Sequence, residues 1–145
     1  MNKKAIISFV SGFLNSYTLV FFSKNKLFGF ILLLVSFFDI YTGITGIISV
    51  MITNAFAMLL GLNLKKISSG LYGFNALLVG LGMGIAIQPS VAFYIILIFI
   101  TLATLLLTLA SEGVIGKYAL PYLSIPFLIS IWVAIIATRS YTGLE

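Results

Sequence analysis

The chain has no histidine and no cysteine. That double absence removes thiol nucleophiles, imidazole general bases, zinc centres and haem ligation together. Carboxylates are nearly as scarce: Asp39, Glu112 and Glu145 are the only three, and no two lie close in sequence. Paired-carboxylate catalysis and proton-coupled pumping both need ionisable groups inside the apolar segments, and almost none are there. An enzyme is the least favoured class, and no cofactor or metal is expected. Charge of either sign is rare, at 8% of residues, with eight cations against three anions.

Apolar surface takes the place of charge. Hydrophobic residues make up 61% of the chain and the mean hydropathy is +1.24. Soluble domains run near 45–50% apolar and about 25% charged, so this is the composition of an integral membrane protein, expected to be multi-pass in a cell membrane. Residues 1–145 form one unit with room for about five helices of twenty residues. The cations fall in scattered pairs between apolar runs: Lys3 with Lys4, Lys24 with Lys26, Lys65 with Lys66. Such pairs suit anchoring at a membrane interface and do not suit nucleic-acid binding. Met1-Asn2-Lys3-Lys4 ahead of Ala5–Val10 has the look of a signal peptide. Without a small-x-small cleavage site it reads as the start of the first helix, cleavage being the minor alternative.

Charges and turn residues divide the chain into spans. The expected limits are Ile7–Phe22, Phe28–Ile40, Ile44–Leu60, Val91–Leu109 and Pro126–Thr138. Ser111-Glu112-Gly113 is expected to end the fourth, which reads as the plainest lipid-facing helix. Pro121 and Pro126 imply an extended or broken backbone before the last helix, with Ser124 placed to cap it. Trp132 is expected to pack within that helix, and Asp39, near a membrane edge, to be solvated or lysine-paired.

Between the third and fourth spans lies a stretch with five glycines in fifteen residues, Gly70 to Gly84. Each glycine costs roughly 1 kcal/mol of helix stability against alanine, so lipid crossing alone does not explain them. Either backbone approaches backbone here, or a helix starts inside the membrane. A helix over Phe74–Ile87 would span about 20 Å, short of the roughly 30 Å hydrocarbon core. Gly80 and Gly84 form a G-x-x-x-G, more often a packing contact than a pore element. Asn75 is either a site residue or a buried amide pairing with neighbouring helices.

The fold class expected is therefore an all-α integral membrane protein with about five transmembrane helices plus one re-entrant half-helix. An odd number of spans puts the termini on opposite faces. A second unit, in a longer chain or as an antiparallel copy, would then enter inverted and build a site at the midplane. No repeat is visible within the chain, so it reads as a single inverted-repeat unit. With the N-terminus inside, Lys3, Lys4 and Lys117 fall on the inner side and Lys24, Lys26, Lys65, Lys66 and Arg139 on the outer, which leaves orientation open.

Three ordered segments carry a resemblance: Val20-Phe21-Phe22-Ser23-Lys24-Asn25; Ser69-Gly70-Leu71-Tyr72-Gly73-Phe74-Asn75-Ala76-Leu77-Leu78-Val79-Gly80, preceded by Gly61-Leu62-Asn63; and Leu120 to Trp132 with Pro126-Phe127. Together they resemble the urea transporter family over nearly the whole chain, matching one of that family's two homologous halves. The resemblance implies a passive, channel-like protein with a pore between two inverted halves and protomers associated as trimers. It further implies that Val20, Phe22, Phe74 and Leu78 form a flat apolar slot, with Ser124 at the central site where the family presents a threonine hydroxyl. Leu19 stands where the family usually has glutamine, which removes one acceptor, although Thr18 is adjacent.

The chemistry of urea agrees with such a slot. Urea is small, planar and neutral, with one carbonyl and four N–H donors. A pore for it needs apolar aromatic walls plus a few oxygen acceptors replacing lost water contacts, each worth several kcal/mol if left unmade. Phe74 and Leu78, four apart, share a helix face. The start of that helix aims a partial positive charge into the site, disfavouring cations. Val20, Phe22, Phe74, Asn75, Leu78 and Ser124 are thus the candidate substrate-binding residues. Urea, membrane lipid and a second repeat are the expected partners. The competing classes are a channel for ammonia, short amides or water, and a non-transporting membrane accessory subunit. The ending Tyr141–Glu145, just past the last helix, leads to the expectation of a fragment of a longer transporter.

Overall fold

A computed structural model of the protein describes residues 2–119 and 121–142. Leu120, the first residue of the third ordered segment, and Gly143–Glu145, with the third carboxylate, lie outside the described residues. Seven α-helices follow one another: α1 Lys3–Leu19, α2 Lys26–Ser36, α3 Ile40–Leu59, α4 Leu64–Ser68, α5 Leu71–Ala86, α6 Val91–Ile115 and α7 Ile125–Thr142, with a 3-10 turn at Gly116–Tyr118 before α7. No strand occurs among the described residues, in line with the all-α expectation. Turn-forming side chains set the helix starts. Asn25, Asp39 and Asn63 accept from the backbone N–H two residues on, and Ser90 from the N–H of Phe93. Asp39, expected to be solvated or lysine-paired, is thus the cap of α3, its second oxygen accepting from Thr42 Oγ1 at 2.6 Å.

The bundle is built around the antiparallel pair α3 and α5. Gly73 faces Asn54, Gly80 faces Ser49 and the Thr45 carbonyl, and Gly84 faces Thr42 and Thr45. Without side chains at those points the two backbones close up, and Thr45 Oγ1 donates to Gly80 O at 2.9 Å across the seam. Small residues and hydroxyls do this work in lipid, where apolar surface gains nothing by leaving one greasy neighbour for another. α6 runs antiparallel to α5, with Phe93 against Met83 at one end and Leu105 against Tyr72 at the other. α7 returns along α5, Ile131 and Phe127 filling the space over Gly82. The glycine-rich helix is Leu71–Ala86, three residues longer at its start than expected, or about 24 Å.

Two of the helices, α3 and α6, are long and apolar enough to cross a membrane. The others reach across the bundle in pieces. α1 runs antiparallel to α3, since Gly12, midway along it, lies against Asn54, toward the end of α3. Tyr17 and Val20 at the far end of α1 share a cavity wall with Asp39 and Thr42 at the start of α3. α2 then continues the crossing that α1 leaves off, since Leu19 and Phe22 lie beside the first turns of α5 while Val35 and Ser36, at the end of α2, share a wall with Asp39 and Thr42. It is only 11 residues long, with Gly29 pressed on Leu14 and Thr18. The two spans expected over Ile7–Phe22 and Phe28–Ile40 are one broken traverse, and α4 with α5 is another.

Three further expectations need correction. Lys65 and Lys66 stand at the same end as Lys4: Lys4 and Lys65 line one groove, and Lys66 pairs with Glu112. Their assignment opposite to Lys3 and Lys4 fails because α2 makes no crossing of its own. α6 continues through Ser111-Glu112-Gly113 to Ile115, glycine near a helix end being too weak a stop, and its Leu97 and Leu105 are wholly buried rather than lipid-facing. Trp132 is not packed but 70% exposed on α7.

The seam generates a matched pair of expectations. A Cβ at Gly80 meets Ser49 Oγ and, at 2.7 Å, the Thr45 carbonyl, whereas one at Gly113 meets nothing within 4 Å. Gly80→Ala is expected to lower thermal stability by about 1–3 kcal/mol. Gly113→Ala, in a helix and in open space, is expected to raise it by about 0.5–1 kcal/mol. Melting curves of the purified variants followed by circular dichroism check both signs.

Candidate functional site

A cavity of about 300 Å³ opens where three chain segments break inside the bundle. Its walls are Leu19 and Phe22 from the end of α1, Leu71, Phe74 and Asn75 from the first turns of α5, and Pro121, Tyr122 and Leu123 from the segment before α7. The volume lies at the lower edge of that of small-molecule sites, about 300–1,000 Å³.

Each break is built by local chemistry. α1 closes with Ser23 N–H donating to Thr18 O and Phe22 N–H to Leu19 O, both at 3.0 Å. This is a Schellman motif, which requires a left-handed residue at the position Phe22 occupies, and Phe22 has φ 54°. α3 ends in the same pair of bonds, from Leu62 to Ala57 O and from Gly61 to Met58 O, but there the left-handed residue is glycine. α5 starts after Gly70, at φ 82°, whose α-carbon is wedged against the backbone of Asn15 and Ser16. Only glycine fits there, since a Cβ would lie 2.5 Å from two backbone atoms of α1. The segment before α7 turns at Leu123, φ 32°, and Ser124 O accepts the first helical bond of α7 from Leu128.

Among the described residues no charged one lines the cavity. Its polarity comes from helix ends and one amide. α5 starts without a side-chain cap, and the first residues of α5 and the last before α7 both form walls, so two helix N-termini bring partial positive charge to one place. Asn75 is 1% exposed. Its Nδ2 donates to Leu123 O at 3.1 Å, and only the amino side of an amide can face a carbonyl. Oδ1 is thereby turned away, and among the described residues it accepts no hydrogen bond. A buried acceptor left in that condition costs about 1–3 kcal/mol.

Of the six residues singled out from the sequence, the cavity gathers Phe22, Phe74 and Asn75. Phe74 is 5% exposed and Phe22 62%, so one aromatic wall is fixed in the bundle and the other stands at its open side. Leu78 is half-buried one turn beyond Phe74, and Ser124, also half-buried, adjoins Leu123; neither lines the cavity. Val20 packs elsewhere, against the group of Tyr17, Val50 and Leu77. Leu71, Pro121, Tyr122 and Leu123 are walls that sequence reasoning missed. The proline pair signalled a break there without saying which way it would fold.

A wholly helical bundle with an uncharged, mainly apolar cavity at the meeting point of interrupted helices has the form of a membrane transport protein. The sequence model of the urea transporter family matches residues 10–145, and the chain belongs to that family. It is a family of transporters and not of enzymes. Among curated proteins the chain is similar to Urea transporter 1 of Capra hircus, 27% identical over 145 residues, covering 97% of this chain and 38% of that protein. The chain thus spans well under half the length of the curated relative it matches.

Phe22 permits a test of the strained turn itself. Phe22→Gly relieves the left-handed backbone and Phe22→Ala does not, while both remove the ring. The glycine variant is expected to be the more stable by about 1 kcal/mol. Thermal unfolding of the two side by side checks it.

Proposed function

We propose that this chain is one repeat of a passive urea channel in a cell membrane, crossing it five times: by α1 with α2, α3, α4 with α5, α6, and the 116–124 segment with α7. The cavity is half of the conduction slot, and a second repeat, in a longer parent chain or as an antiparallel copy, supplies the facing wall. The trimer follows from the family resemblance. Lys4, Lys65, Lys66 and Lys117 gather at one end of the bundle while Arg139 lies at the other, beside Gln88 and Ser90, so the positive-inside rule turns the lysine end to the cytoplasm.

The observation that carries this reading is the mainly apolar cavity, walled by Phe22, Phe74 and Asn75, at the place where three chain segments break. Phe22 and Phe74 offer flat walls to a planar solute. A turn of the Asn75 amide brings Oδ1 to one of its N–H groups, and the helix starts of α5 and α7 favour its carbonyl oxygen while repelling cations. Leu78, on the Phe74 face, and the Ser124 hydroxyl extend the path beyond the cavity, and Leu19 takes the wall position expected of Val20. Because Leu19 brings no acceptor, a second reading is favoured at the same site: a short amide that makes fewer hydrogen bonds than urea.

Liposomes containing the full chain, mixed with urea and followed by light scattering, test the proposal. Urea permeability is expected above that of empty liposomes. Asn75→Leu is expected to lower it about tenfold, as one lost hydrogen bond of about 1.4 kcal/mol requires, in protein that remains folded. A non-transporting subunit predicts permeability equal to that of empty liposomes, with Phe74→Ala and Asn75→Leu changing stability alone. Acetamide permeability exceeding that of urea would select the second reading.

A further inference from the structure

We infer a second binding site, for the phosphate group of an anionic phospholipid, in the groove between α1 and α4. The groove has a volume of about 470 Å³ and is lined by Lys4, Ile7, Ser8 and Asn15 from α1 and by Leu64, Lys65, Ser68 and Ser69 from α4 and its end. It shares no residue with the cavity described above.

Charge is the first argument. Glu112 is the one carboxylate at this end of the bundle among the described residues, and it is taken by Lys66. Lys4 and Lys65 are left on opposite lips of the same groove, both exposed, with no acidic partner among the described residues. Two ammonium groups brought together without a counter-charge repel each other, and a phosphate between them removes the repulsion. The hydroxyls of Ser8 and Ser68 make no hydrogen bond among the described residues and add neutral donors beside them.

Rigidity is the second. The groove is not two helices lying loosely together, because Gly12 lets the Ile67 carbonyl sit directly on α1 and Asn15 Nδ2 donates to Ser68 O at 2.6 Å. The distance between its lips is therefore set before any ligand arrives, which spares the ligand that ordering cost.

The apolar part of the lining selects the source of the phosphate. Ile7 and Leu64 lie beside the lysines and serines, 57% and 39% exposed. A free phosphate has no use for them, whereas a phospholipid places its glycerol and acyl stems there while its phosphate meets the lysines. Lys4 also stands at the start of α1, where a chain entering a bilayer passes the headgroup layer, and the negative surface potential of a cytoplasmic leaflet attracts basic residues at that depth.

Native mass spectrometry of the full chain in detergent, titrated with phosphatidylglycerol and separately with phosphatidylcholine, tests this. One phosphatidylglycerol is expected to be retained preferentially. Lys4→Gln with Lys65→Gln is expected to weaken that retention about 25-fold, taking about fivefold per lysine. Lys4→Arg with Lys65→Arg should keep it, and Lys24→Gln with Lys26→Gln, on the link between α1 and α2, should leave it unchanged. The inference is overturned if the Lys4/Lys65 glutamine pair retains lipid as the parent does, or if the Lys24/Lys26 pair loses it equally. Displacement of the lipid by inorganic phosphate at equal concentration would also overturn it, by assigning the site to the free anion. Circular dichroism of each variant confirms that helix content is unchanged before retention is compared.

Discussion

A helix that stops inside a membrane bundle must find partners for the backbone groups it leaves open, because lipid offers none. This chain has three such interruptions, and each is closed by different means. The Schellman bonds of Ser23 and Phe22 close α1. Gly70 carries the chain from α4 into α5 by a left-handed turn, its own N–H bonded to Ile67 O. Before α7, Ile125 N–H reaches back to Tyr122 O, and Asn75 takes the Leu123 carbonyl. The cavity exists because these three closures are adjacent, so that no continuous helix fills the space between them.

Holding three interruptions in register requires something stiff beside them. The α3–α5 pair supplies it. Gly73, Gly80 and Gly84 remove side chains from the contact, and Ser49 and Thr45 on the facing helix bond within the structure: Ser49 to Thr45 O, Thr45 to Thr42 O and to Gly80 O. Hydroxyls that satisfy themselves in this way add packing without exposing donors to lipid. Phe74 and Asn75 stand on the buried side of α5 because the same helix is committed on its other side to α3. The stiffness of the seam is thus passed directly to the wall of the cavity.

The sequence made part of this legible. Five glycines in a run marked α5 as a helix in close contact and of less than full length. Phe22, Phe74 and Asn75 were readable because they sit inside ordered motifs. The direction of α2 was not readable. Hydropathy reports how apolar a segment is and says nothing of where its two ends point, and eleven residues between charged turns resemble a short span. From that one ambiguity came the misplacement of Lys65 and Lys66. Pro121–Leu123 escaped for a related reason: prolines state that a helix cannot continue, while the position of the broken segment depends on Asn75, 48 residues away along the chain.

The ends of α1 and α3 offer an internal comparison that bears on why the cavity is aromatic. Both close with the same two hydrogen bonds and both place the same link of the motif in the left-handed region. At the end of α3, which does not line this cavity, that residue is Gly61, with nothing within 4 Å of its Cβ position. At the end of α1 it is Phe22, a bulky residue that pays about 1 kcal/mol for the same backbone. Stability alone would place glycine at both. The left-handed turn, however, swings the side chain out of the course of α1, and Phe22 lies 62% exposed in the wall of the cavity that the buried Phe74 also lines. Leu123, a second non-glycine residue with positive φ, borders the same cavity and offers its carbonyl to Asn75. Strain of this kind persists where the surroundings over-determine it and gathers at sites where side-chain placement matters more than local stability. Two of the three strained non-glycine residues among those described border one cavity, and a requirement for wall geometry at that place explains the choice of residue where helix termination does not.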